Sequence, residues 1–186
     1  MHQIGIGIPV HTAPRQLQAT LDSLRAHTPP GYALLLLPDG PDAGMGAFLQ
    51  SLPLPQAGTA VARGDAACFN RLVTTLDADL YVLLESGAQV GPGWLEALLA
   101  ALDADPRHGL AGPSTNRAWN EQGVFPRAGS APAQVAHTAA QAARRFGAAW
   151  QPLAPLHSLG DFCYAVRREV VRAVGAADEA YGLGPC

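Results

Sequence analysis

Hydrophobic and polar positions follow two alternating patterns along this chain. Short apolar runs at 4–10, 32–37, 79–84, 110–112 and 162–166 read as strands, and 58–62 as a further short one. Between them apolar residues recur at helical spacing: Leu17, Leu21 and Leu24; Phe69, Leu72, Val73 and Leu76; Leu95, Leu98, Leu99 and Leu102; Val135, Ala139, Ala142 and Phe146. Pro14 and Pro92 fit helix starts, Asp65 fits a cap, and 168–174 reads as a short helix. Pro38-Asp39-Gly40 is a turn signature, and the Gly/Pro/Ala-rich stretch 123–134 a loop. Strand and helix alternate from end to end. That predicts an α/β domain with a mostly parallel sheet and helices on both faces.

In such a sheet, ligands bind beyond the carboxyl ends of the strands. Those ends carry Pro9-Val10-His11-Thr12, Pro38-Asp39-Gly40, Arg63-Gly64-Asp65, Glu85-Ser86-Gly87 and Gly112-Pro113-Ser114-Thr115-Asn116, a polar and acidic set. No Gly-x-Gly-x-x-Gly opens a helix after a strand. No phosphate-binding Gly-Lys loop and no Gly-x-Ser-x-Gly elbow occur. The segment 112–122 gathers amides, hydroxyls, an arginine and an indole. Asn116, Trp119 and Asn120 there suit a sugar or acceptor platform, or a polar loop anchored by a buried Trp119.

Composition narrows the classes. Of 186 residues 48% are hydrophobic and 15% charged, which fits one packed domain. A net charge of -3 gives no footprint for nucleic acid. All 12 cationic residues are arginine, so any phosphate must be met by Arg, His or backbone N–H groups. Cys68, Cys163 and Cys186 form neither a disulfide framework nor a zinc motif, and a reducing, cytoplasmic setting is expected. No apolar run approaches the roughly 20 residues of a membrane span.

Four stretches, in order, resemble family-two glycosyltransferases with the GT-A fold. IGIGIPVHTAPRQLQATLDSLRAHT followed by LLLLPDG resembles their opening strand, helix and V-D-D-G turn. GDAACFNRL resembles their G-x-x-x-A-R-N-x-G segment. YVLLESGAQVGPGWLEALLAAL resembles their strand into a D-x-D-type motif and P-x-W-L. DFCYAVRREVVRAVGAADEAYG resembles their R-R-E…G-x-x-D-E-x-Y-G segment.

The resemblance implies a Rossmann-like nucleotide-diphospho-sugar transferase fold and an inverting hexosyl transfer to an acceptor hydroxyl in polysaccharide or glycoconjugate synthesis. It places Pro9, Val10, His11, Asp39, Asn70, Glu85 and Ser86 at the nucleotide. The content of the 112–122 loop assigns Asn116, Trp119 and Asn120 to the sugar or acceptor, and Asp161 is a further acid for sugar or acceptor contact and the candidate catalytic base. The expected partners are a nucleotide-diphospho-sugar and a glycan, lipid or protein acceptor. The expected cofactor is manganese or magnesium, held by strand-end acids. Gly87 stands where the principal metal acid belongs, which leaves Glu85 as the metal candidate. The family's base motif follows the D-E-x-Y-G segment, so residues 1–186 are expected to be one domain at the start of a longer protein. The alternatives are a non-catalytic nucleotide-sugar or glycan-binding module, and an unrelated doubly wound binding domain.

Overall fold

The alternation within each strand sorts side chains onto two faces. A computed structural model of the chain describes residues 2–153 and 158–183. Its five strands are β1 (Ile4–Val10), β2 (Tyr32–Pro38), β3 (Leu80–Leu84), β4 (Leu110–Ala111) and β5 (Cys163–Arg167), in the sheet order β2-β1-β3-β5-β4. β1 pairs in parallel with β2 and β3, while β5 runs antiparallel between β3 and β4. The sheet is therefore mostly parallel, with one reversed strand that its sequence does not signal.

Ile6, Ile8, Val10, Leu36, Leu80, Val82 and Leu84 face one layer. That layer is made by α1 (Pro14–His27), α2 (Ala43–Ser51) and α4 (Trp94–Asp103), through Leu17, Leu21 and Leu24, Met45 and Leu49, and Leu95, Leu98 and Leu102. Leu35, Leu37, Tyr81 and Leu83 face the other way, against Cys68, Phe69 and Leu72 of α3 (Asp65–Thr75) and Val170 and Val171 of α6 (Arg168–Val174). Burying each such leucine contributes on the order of 1.5–3 kcal/mol.

On the second face β1 presents glycines. A Cβ on Gly7 would lie 2.8 Å from Leu72 Cδ2 and 2.9 Å from Leu37 Cδ1, and one on Gly5 3.1 Å from Leu76 Cδ1. The Gly-Ile alternation of the opening strand thus lets α3 sit directly on the backbone of β1. This close approach brings the first turn of α3 beside the end of β1.

Three expectations are corrected. Residues 58–62 form no strand; isolated bridges join Leu36 to Gln56 and Asp39 to Thr59. A helix not expected from the sequence, α2, follows the Pro-Asp-Gly turn, capped by Asp42, whose side chain accepts from Met45 N at 2.7 Å. Asp65 is the first residue of α3, not its cap; Gly64 takes that place with φ +91°. A longer helix, α5 (Pro132–Phe146), follows the 112–131 loop with none of its residues fully buried. A short 3-10 turn covers Glu179–Tyr181.

Candidate nucleotide-sugar site

The carboxyl ends of β1, β2 and β3 open on the same edge, and the start of β5 meets it because Leu84 pairs with Cys163. Backbone bonds fix this edge. Ser86 N donates to Pro9 O at 3.2 Å and Glu85 N to Phe162 O at 2.8 Å. His11 N donates to Ser86 Oγ at 3.1 Å.

His11 is the hub. Its Nε2 lies 3.0 Å from Asp65 Oδ1. Its pKa is raised to about 10 by the bond to Asp65, then by Cys68, with Glu85 adding attraction against the cost of burial. The ring is thus an imidazolium at neutral pH. Glu85 has the opposite problem. Burial, then the negative charge of Asp65, push its carboxyl up to about 7, with Asp161 adding to the rise and His11 and Ser86 opposing it. His11, Asp65 and Glu85 bring one ligand atom each within 4.8 Å of one another.

Asp39 is 3% exposed and saturated with donors. Oδ2 accepts from Arg63 N and Gly64 N, each at 2.8 Å. Oδ1 accepts from Thr59 Oγ1 at 3.0 Å and Arg71 Nη2 at 3.1 Å. Burial alone would raise its pKa; the Gly64, Arg63, Arg71 and Thr59 donors outweigh it and hold the carboxyl below its ordinary value. Asp39 therefore ties the 59–64 segment to the end of β2 and shapes the wall of the site. Arg71 also reaches Cys68 Sγ at 3.1 Å. Cys68, buried against these groups, has its thiol pushed up by desolvation.

The remaining expected residues fall in two places. Pro9 and Val10 are buried in β1 with their backbone at the edge, and Asp161 is exposed beside Glu85. Asn70 faces the C-terminal segment: its amide donates to Ala177 O and Glu179 Oε1 and accepts from Ala177 N. Asn116 donates to Ala128 O at 3.2 Å, and Asn120 to Ser158 O at 2.9 Å. Trp119 is 67% exposed, so it is no core anchor. The buried polar anchor of that loop is Gln122, which bonds Pro113 O and Gly160 N. Gly87 has φ +98°, a conformation that resists a side chain, and its N–H donates to Thr20 Oγ1 at 2.8 Å.

From the sequence, Asp65 is a helix cap and a member of the polar strand-end set without a specific role, and Cys68 and Arg71 carry no site role. The signal for Asp65 was its place after Arg63-Gly64, at a strand end. Nothing in the sequence shows the 54-residue separation from His11 being closed.

No protein-family model and no curated protein sequence matches the chain. Solved structures do. The mannosyltransferase PcManGT from Pyrobaculum calidifontis, in complex with GDP-Man and Mn2+, superposes with a TM-score of 0.66 at 14% identity, over 96% of this chain and 48% of its own. Glucosyl-3-phosphoglycerate synthase from Mycobacterium tuberculosis, in complex with uridine diphosphate, superposes with a TM-score of 0.56 at 17% identity, over 91% and 58%. The chain spans about half the length of these structures (48% and 58%). Among the described residues no helix is long and apolar enough to cross a membrane. The strand order, the helices on both faces and these superpositions together show an α/β fold of the GT-A type, the one found in nucleotide-sugar glycosyltransferases.

Proposed function

We propose that this domain binds a nucleotide-diphospho-sugar and transfers the sugar to an acceptor hydroxyl with inversion. One observation carries the reading: His11, Asp65 and Glu85 converge at the edge formed by the carboxyl ends of the parallel strands, where a sheet of this kind takes its ligand. The Asp39-bound segment forms the wall beside them. Pro9, Val10, Ser86 and Asn70 belong to the nucleotide half of this reading, and Asn116, Trp119 and Asn120 to the acceptor half.

The charges at the mouth bear on the cofactor. Asp65, Glu85 and Asp161 outnumber His11 there, Arg71 is bound to Asp39, and Arg63 leans toward Glu179 at 3.6 Å. A diphosphate entering this mouth needs added positive charge. Carboxylates are the donors a hard divalent cation prefers, and a Glu85 carboxyl strained by its neighbours gains from one. Glu85 and Asp65 would therefore hold manganese or magnesium, which would neutralise charge on the diphosphate leaving group. The chain's own residues do the rest. The β1 end and the Asp39-bound wall orient the nucleoside. Asp161 takes the proton of the acceptor hydroxyl as its oxygen bonds to the anomeric carbon and the bond to the diphosphate breaks.

Gly87 favours a second reading, a binding module without transfer, because it stands where the resemblance expects an acid and its backbone conformation resists one. Calorimetry with UDP and GDP, each with and without manganese, tests the binding. Release of nucleoside diphosphate from the matching sugar nucleotide separates transferase from module. A protein that binds no nucleoside diphosphate in either condition would sink both readings.

A further inference from the structure

One long block of the chain is free of negative charge. From Gln122 to Gly160 there is no Asp or Glu, while Arg127, Arg144, Arg145 and two histidines fall there, in a protein of net charge -3. Within this block, residues 125–141 line a cavity of about 670 Å³, among them Phe125, Arg127, Gln134, His137, Thr138 and Gln141, with no carboxylate among the described lining residues.

Phe125 is held in an uncommon backbone conformation, φ +51°, the one non-glycine residue with positive φ among the described residues. Such strain persists only where the surroundings enforce it, and it gathers at binding sites. Here Arg145 lies 5.8 Å from the Phe125 ring centre and 5.0 Å from that of Phe146, and the two rings stand 6.4 Å apart. The cavity is joined to the nucleotide-sugar edge. Gln89 Nε2 donates to Ser130 O at 2.9 Å, and Ala139 of α5 packs where a Cβ on Gly91 would fall. The loop that follows Glu85 is therefore tied to the segments that frame the cavity.

The lining chemistry is specific. An aromatic face suits the C–H side of a polyol, two amides and a threonine hydroxyl suit its hydroxyls, and Arg127 with His137 suits an anion. A planar guanidinium binds phosphate oxygens in pairs. We infer that this cavity binds a small phosphorylated polyol and, on the reading of the domain as a transferase, that this class supplies the acceptor hydroxyl.

The test uses amide and side-chain NMR shifts with glycerol 3-phosphate, inorganic phosphate, glycerol and vesicles of anionic phospholipid, alongside UDP and GDP with manganese. The expected result is saturable shifts at residues 125–141 with glycerol 3-phosphate, weaker ones with inorganic phosphate and none with glycerol. Arg127→Gln should weaken binding of glycerol 3-phosphate about 10-fold or more, as for loss of a hydrogen bond to a charged group. His137→Gln should weaken it in the same direction. Arg127 is exposed, so an unchanged melting temperature is expected. Nucleoside diphosphate binding should not change in either variant. The proposal is overturned if phosphate compounds leave residues 125–141 unmoved, if inorganic phosphate binds as tightly as glycerol 3-phosphate, if Arg127→Gln has no effect, or if only the vesicles bind. Failure of UDP and GDP to bind, with glycerol 3-phosphate still held by Arg127, would remove the transferase reading and leave the cavity site standing.

Discussion

Two carboxylates of this edge are placed in opposite circumstances, and they respond to pH and mutation in opposite ways. Asp39 has its pKa held down by four donors, so its stabilisation is present above its ordinary value of 3.8 and is lost as pH falls through the lower folded value. Asp39→Ala leaves Arg71 without its carboxylate and with only the Cys68 sulfur, and removing one member of a buried ion pair costs about 3–5 kcal/mol. Chemical denaturation should show that loss at neutral pH, together with disorder of residues 59–64. A variant as stable as the parent would mean the 59–64 wall does not depend on Asp39. Glu85 is raised from 4.5 to about 7, so it contributes stability below its unfolded value that disappears as pH rises through about 7. Glu85→Gln cannot ionise. Its melting temperature should exceed the parent's by more at about pH 8 than at about pH 5, the window the shift defines. In the presence of nucleoside diphosphate the same variant should lose most of any manganese enhancement. An equal melting difference at both pH values would show that Glu85 ionises freely. The sequence pointed to both acids because each ends a strand. It could not point to His11 with Asp65, because their contact depends on how closely a helix approaches a strand.

That approach belongs to the level of elements. Gly7 has no room for a methyl group between Leu72 and Leu37, whereas nothing lies within 4 Å of a Cβ on Gly46 in α2. Gly7→Ala should destabilise by about 1–3 kcal/mol, the usual cost of overpacking. Gly46→Ala should be neutral or stabilise by up to about 1 kcal/mol through helix propensity. The informative readout is the His11 titration followed by NMR. If Gly7→Ala pushes α3 away from β1, the His11 pKa should fall from about 10 toward 6.5, while Gly46→Ala leaves it in place. A fall in stability with His11 unmoved would mean α3 tilts without its first turn leaving the site. Most elements were legible because apolar spacing is a local signal: Leu17, Leu21 and Leu24 identify α1 without any partner. α2 was not, since Ala43-Gly44-Met45-Gly46 reads as a loop until Asp42 is seen to cap it. The reversal of β5 was invisible because five residues carry a pattern and no direction.

At the scale of the whole molecule, charge divides into an acidic mouth around Glu85 and a basic block between Gln122 and Gly160, joined by the 87–91 loop. The division was present in the sequence but has meaning only once loop and helix are seen to enclose a cavity. The reversed strand has a further consequence, in time instead of space. Once the chain has emerged as far as Leu84, β2, β1 and β3 can already pair. β3 is buried along its whole length in the finished protein, yet the partner for its free side is β5, made some eighty positions later by number. Until then a five-residue apolar strand offers unpaired backbone groups, a template for pairing with another nascent chain. A fragment ending before Asp161 should therefore form strand-rich oligomers on size-exclusion chromatography. Adding a synthetic peptide of residues 161–175 should return it to the monomer. A fragment that stays monomeric on its own would show that the β4 segment or α5 shields the edge. Such a gap makes the interval between synthesis of β3 and of β5 the time in which this edge is open to other chains.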